Sequence, residues 1–193
     1  MARKTAIKRG RKPIPTIIGA GITEQWYFTH LHRLKDYRVK IRPRYFGTET
    51  ATGLAKRIED VLRNNGFAIC VFDADVSIWN EMERKKLNAL RKKYKEHPSV
   101  LLCDSLPSIE YWFLLHYKNT NRYYGTSKAV IEDLKDYIPQ YDKTEKFLQQ
   151  EKWVEGLVEG NRQKDACERA EAFGTDGESY SKVNKAIEII ERQ

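Results

Sequence analysis

"FAICVFDAD", residues 67–75, decides how this chain folds. Six apolar residues run together without the polar alternation of a half-exposed strand. Asn64-Asn65-Gly66 stops the chain before them, and two aspartates close the run. That pattern reads as a strand covered on both faces, which belongs in a parallel sheet flanked by helices. Its neighbours should therefore alternate, and they do. Residues 15–19 read as a strand, then 24–36 as a helix with Thr23 as N-cap. "YRVKIRPRYF" (37–46) alternates charged with apolar residues, and Pro43 suits an edge strand or a bulge. An amphipathic helix over 51–64 carries Leu54, Ile58, Val61 and Leu62 on one stripe. A charge-dense helix over 80–97 turns Leu87, Leu90 and Tyr94 inward. "VLLCDS" (100–105) is a further strand, and Ile109–Tyr117 an apolar helix. The expected class is α/β, a mostly parallel central sheet with helices on both faces. After Asn119 the strand signal stops, and 127–138, 144–159, 162–173 and 181–192 all read as helix. The expected division is a basic flexible arm over 1–13, an α/β domain over 14–119 and a C-terminal helical extension over 120–193 that caps the sheet.

The chain has 193 residues and is 40% hydrophobic, enough for one domain with a core. Lys+Arg is 35 against 27 Asp+Glu, so the net charge is +8. Such an excess suits a phosphate-rich partner. It is also what a solvated surface carries, and the arm with Arg3, Lys4, Lys8, Arg9, Arg11 and Lys12 fits either use. Cys70, Cys103 and Cys167 form no CxxC pair, which argues against a zinc site or a disulfide framework. Cys70 and Cys103 lie in apolar runs and read as small buried hydrophobes. No apolar stretch is long enough to span a membrane or to follow the basic arm as a signal peptide. The expected location is the cytoplasm.

Gly19-Ala20-Gly21-Ile22-Thr23-Glu24 opens like a dinucleotide loop, but Glu24 stands where the third glycine of that fingerprint belongs. An acid there would repel a pyrophosphate. Asp73 and Asp75 are the stronger signal. They close a buried strand at its carboxyl end, where sites form in open α/β sheets. Residues i and i+2 of a strand share a side, and paired carboxylates invite a cation. Magnesium, which keeps waters and meets phosphates, suits them. The plain alternatives are exposed loop acids and, for Asp75, a helix cap. Glu24 follows the first strand at the same edge, and its modest alternative is a first-turn acid on the helix dipole. Glu110 stands among Ile109, Trp112, Phe113 and Leu114, so it needs a partner. Ser105 could meet a phosphate, whereas Ser108 reads as a helix cap. Arg38, Lys40, Arg42 and Arg44, with Arg91, Lys92 and Lys93, are candidate nucleic-acid contacts. Tyr45 and Phe46 could stack on bases.

Taken together, these pieces resemble the RloB-like family, whose core resembles the Toprim fold of primases, topoisomerases and several nucleases. The likeness rests on Gly21, Thr23, Glu24, Tyr27 and Phe28; on Asp73 and Asp75; on Ser105, Pro107, Glu110, Trp112, Leu114 and His116; and on Tyr141 and Lys143. It implies a Toprim-like sheet and a metal-dependent nuclease using Mg2+ (or Mn2+). At position 20 the family pattern has glutamate, a metal ligand or general acid–base. The resemblance therefore implies that Ala20 impairs catalysis in an otherwise intact site, as an introduced change in the first reading and a natural loss of activity in the second. It implies metal ligation by the position-20 acid, Asp73 and Asp75, with Glu24 and Glu110 binding a second ion or orienting the first. If the extension folds over the site, it also implies charge compensation by Lys143. It further implies an anti-phage defence effector that cleaves RNA, tRNA or DNA beside an ATPase partner, an arrangement compatible with a homodimer. The competing function is a non-cleaving Toprim-like module that binds nucleic acid or nucleotide and relays a signal. Chelator sensitivity separates the two.

Overall fold

The computed structural model describes residues 13–42, 50–75, 80–175 and 179–193. Its elements, in chain order, are β1 (Pro15–Gly19), α1 (Ile22–Lys35), β2 (Lys40–Arg42), α2 (Ala51–Arg63), β3 (Phe67–Asp73), α3 (Glu81–Tyr94), β4 (Val100–Leu106) and α4 (Ile109–Leu115). There follow α5 (Ser127–Leu134), α6 (Glu145–Leu148), α7 (Lys152–Val158), α8 (Arg162–Phe173), β5 (Tyr180–Ser181) and α9 (Val183–Glu191). One sheet holds the strands in the order β2-β1-β3-β4-β5. The first three pairings are parallel, and β4–β5 is antiparallel. This is the α/β, mostly parallel architecture expected from residues 67–75.

β3 sits at the centre because both its faces are apolar. Ile69 and Val71 join the core on one side; Ala68, Cys70 and Phe72 join the core on the other. The first core packs α1, α4 and the helices of the C-terminal third against the sheet. The second packs α2 and α3. Cys70 and Cys103 are buried and unbonded, as small hydrophobes should be. The starts of α2 and α3 are capped locally. The Thr50 side chain accepts from the Gly53 N–H, and Asn80 from that of Glu83. Asn65, at φ 51°, ends the turn after α2 where the asparagine-glycine signal placed it.

Several expectations need correction. The C-terminal third is not wholly helical. Tyr180–Ser181 adds the antiparallel edge strand, pairing with Leu106 and Ser105. Two residues are too short for a periodic signal, and their partner lies far away in sequence. The helix expected over 144–159 is two pieces, and the one over 127–138 stops at Leu134. Helix α1 starts earlier than expected, with Gly21 rather than Thr23 at the N-cap. β2 is described only over Lys40–Arg42; Arg44, Tyr45 and Phe46 lie outside the described residues. So does the basic arm up to Lys12. Among the described residues no helix is long and apolar enough to cross a membrane.

Candidate functional site

A cavity of about 300 Å³ opens at the carboxyl edge of the sheet. Its polar lining is Thr23, Glu24, Asp73, Asp75, Glu83 and Lys143, and Ala20 lines it beside them. Leu54, Phe72 and Leu87 are among its apolar lining. The chain reaches this edge by continuing its ladder. The Ala20 N–H donates to the Val71 carbonyl at 2.9 Å, and the Ala74 N–H to that of Ser105 at 2.8 Å. Position 20 is thus held firmly beside the end of β3.

The glycines around Ala20 serve Glu24 rather than a phosphate. A Cβ at Gly21 would lie 2.9 Å from Glu24 Oε2, and one at Gly19 would lie 3.1 Å from Glu24 Cβ. Both glycines leave room for the first turn of α1 and for a carboxylate folded back over it. Glu24 is only 4% exposed. Burial pushes its carboxyl up to about 7, and Glu110 adds to the rise, while backbone hydrogen bonds at Glu24 and Gly21 pull it down. Asp73 is likewise held well above the ordinary carboxylate range, by burial first and then by Glu24 and Glu110. Asp73 also does the capping that Ser108 was expected to do. The Ile109 N–H at the start of α4 donates to Asp73 Oδ1 at 2.8 Å. The Ser108 side chain makes no cap bond and turns to Glu110 instead.

Glu110 is wholly buried. Its Oε2 accepts the Ser108 hydroxyl at 2.5 Å. Its Oε1 accepts from Tyr141 Oη at 2.8 Å and faces Lys143 Nζ at 3.0 Å. Burial pulls the Lys143 ammonium down, but Glu110, Asp73 and Glu24 outweigh it and hold it above its usual value. Glu24, Asp73, Glu110 and Lys143 therefore form one electrostatic cluster. Asp75 lines the same cavity. Among the described residues, however, no three His, Cys, Asp or Glu side chains are grouped so as to hold a metal ion. Glu110, expected among the ligands, has both oxygens already engaged.

The expected nucleic-acid contacts divide. Ser105 is fully buried, and its hydroxyl pairs with that of Ser181 at 2.8 Å, so it cannot meet a phosphate. Arg91 is not a free surface cation: it meets Asp104 Oδ2 at 2.7 Å and lies over the Phe72 ring. Lys93 is 2.6 Å from Glu59. Lys92 and Lys93 line a shallow depression with His97 and Pro98, in the turn that enters β4, away from the cavity. Arg38, Lys40 and Arg42 are exposed. Lys40 and Arg42 line a second groove with Arg57 and Asn65, on the edge strand and the carboxyl end of α2. Arg57 was missed because its partners in the groove come from a strand outside its own helix. His116 packs as expected, its Nδ1 bonded to the Trp112 carbonyl at 2.9 Å. His30, without an evident role in the sequence, ties α1 to the end of α6 through the Leu148 carbonyl at 2.8 Å.

Fold and cavity thus define an α/β protein with an acidic cluster, joined by one lysine, at the carboxyl edge of a mostly parallel sheet. The RloB-like protein family model matches residues 16–190, and the chain belongs to that family. Comparison with curated proteins and with solved structures returned no match.

Proposed function

We propose that this chain is a phosphodiester-cleaving nuclease of the Toprim type, dependent on Mg2+ or Mn2+, and catalytically impaired by Ala20. The observation that carries the reading is the gathering of Glu24, Asp73 and Asp75 around one cavity with position 20. Glu24 and Asp73, whose proton affinity is raised first by desolvation and, for Asp73, next by Glu24, are carboxylates that a cation would relieve. Among the described residues Glu24, Asp73 and Asp75 are not by themselves grouped to hold an ion, so the reading needs an oxygen at position 20. Glutamate there, with Glu24, Asp73 and Asp75, would hold it. When bound, the ion supplies Lewis-acid charge and a water acidic enough to attack at neutral pH. Lys143 sets a fixed positive charge at the cavity for the phosphoryl oxygens, where negative charge grows in the transition state. Leu54, Phe72 and Leu87, among the lining, would lower the local polarity around a bound phosphate. Lys40, Arg42 and Arg57 offer a groove for the flanking backbone.

The substrate class is RNA, tRNA included, or DNA. The biological setting is anti-phage defence in the cytoplasm alongside an ATPase partner. The test is Ala20→Glu, assayed on RNA and DNA with Mg2+ and with chelator. Chelator-sensitive cleavage by Ala20→Glu, absent from the parent, supports the reading. Cleavage on neither substrate counts against it.

A further inference from the structure

We propose that Glu110 is a positioning residue: the buried counter-ion that fixes Lys143 at the cavity, with Tyr141 as its second hold on the same segment. This rests on the nuclease reading for its purpose, not for its geometry. Lys143 lies between α5 and α6, in a stretch without regular structure. Its side chain is 40% exposed, so nothing in its own backbone would fix a long, flexible ammonium there. Glu110 supplies the constraint from the other side of the chain fold. It sits in α4, wholly buried, and does not line the cavity, whereas Lys143 does. Its Oε1 takes both Lys143 Nζ and Tyr141 Oη, at 3.0 and 2.8 Å. Its Oε2 is held by Ser108. Tyr141, two residues before Lys143, sends its ring among Phe113, Phe147 and Trp153. The segment is thus gripped twice by one carboxylate, once by charge and once through a core-anchored ring. A group with every oxygen committed inside the protein is placed to orient a lysine, not to ligate an ion at the cavity.

The experiment uses the 193-residue chain carrying Ala20→Glu, with Glu110→Gln, Lys143→Met, Tyr141→Phe and the Glu110→Gln/Lys143→Met pair added. Three readouts are taken: Mn2+ affinity by electron paramagnetic resonance, hydrogen exchange over residues 139–144, and single-turnover cleavage. Glu110→Gln is expected to leave the Mn2+ Kd within about threefold and to speed exchange over 139–144 by about tenfold or more. The cleavage losses of Glu110→Gln and Lys143→Met should not multiply, because one residue acts through the other. A Kd weakened about tenfold or more by Glu110→Gln, as losing a ligand would give, overturns the proposal. So does unchanged exchange, or multiplicative losses. Should Glu110→Gln fail to fold, Tyr141→Phe, which keeps the ring, carries the exchange test. If no variant binds Mn2+, the nuclease reading falls, while the exchange result still decides whether Glu110 holds Lys143.

Discussion

At position 20 a methyl group occupies the point where α1, β1 and β3 bring their polar ends together. The backbone there is held by the Val71 carbonyl, and residue 20 lines the cavity. An acid at this point should complete the ligand set, and Ala20→Glu is expected to tighten Mn2+ binding by about tenfold to a hundredfold. Gly21 makes a sharper claim. A methyl there would meet Glu24 Oε2 at 2.9 Å. Gly21→Ala should therefore push the Glu24 carboxylate out of place, weakening cation binding by a similar factor in the Ala20→Glu background, at a cost of about 1–2 kcal/mol in stability. Calorimetric Tm and Mn2+ titration on the same protein check both halves. Position was legible at the carboxyl edge of the sheet: Asp73, Asp75 and Glu24 all line one cavity. It was not legible for Ser105 or Glu110. A serine or glutamate looks the same in sequence whether it faces a ligand or a buried neighbour.

Among the elements, β4 carries the heaviest constraint, because Asp104 binds three others to it. Its carboxylate meets Arg91 of α3 and Lys182, just before α9, at 2.7 and 2.8 Å, and accepts the Tyr180 hydroxyl of β5 at 2.7 Å. Burial alone would raise its carboxyl, but Lys182, Tyr180 and Arg91 together hold it below the ordinary value. Both cations are about a third exposed, so solvent screens the gain. Asp104→Asn should cost about 2–3 kcal/mol, read as a fall in Tm of roughly 5–10 °C. The pH dependence follows from the depressed value. The unfolded chain takes up the proton first, so this stability is complete above about pH 5 and drains as pH falls through the native value. His116 drains a different window. Burial pushes its imidazole down to about 4, so its contribution is full above about 6.5 and lost between there and 4. Urea unfolding from pH 7 to 3 should show both losses, and Asp104→Asn should remove only the lower one. Periodicity found every strand of the parallel part and the helices between them. It missed β5, whose two residues pair because Asp104 and Ser105 reach across for them.

For the whole molecule, the C-terminal third completes the sheet domain. Val130, Leu134, Leu148, Val154, Leu157 and Ile187 share one core with Ile17, Tyr27 and Trp112. A chain ending at Asn119 should expose that surface, strip Asp104 of Lys182 and Tyr180, and fail to unfold cooperatively in urea. The same segment delivers Lys143 to the cavity, so it belongs to the site as much as to the fold. The net charge of +8 sets how the molecule meets a polyanion. Binding of the Ala20 form to RNA or DNA should weaken steeply and log-linearly with salt, by filter binding or anisotropy. The charge was legible in the sequence, but its distribution was not: Arg91 and Lys93 are tied to acids, and Arg57 joins Lys40 and Arg42 only through tertiary packing. The most direct test of the central claim, that position 20 with Glu24, Asp73 and Asp75 forms a divalent-cation centre, is paired Mn2+ titration of the parent and Ala20→Glu. Ala20→Glu should bind Mn2+ measurably, with affinity weakened about tenfold or more when Asp73 or Asp75 becomes Asn. Equal Mn2+ affinity in all four proteins would contradict that claim.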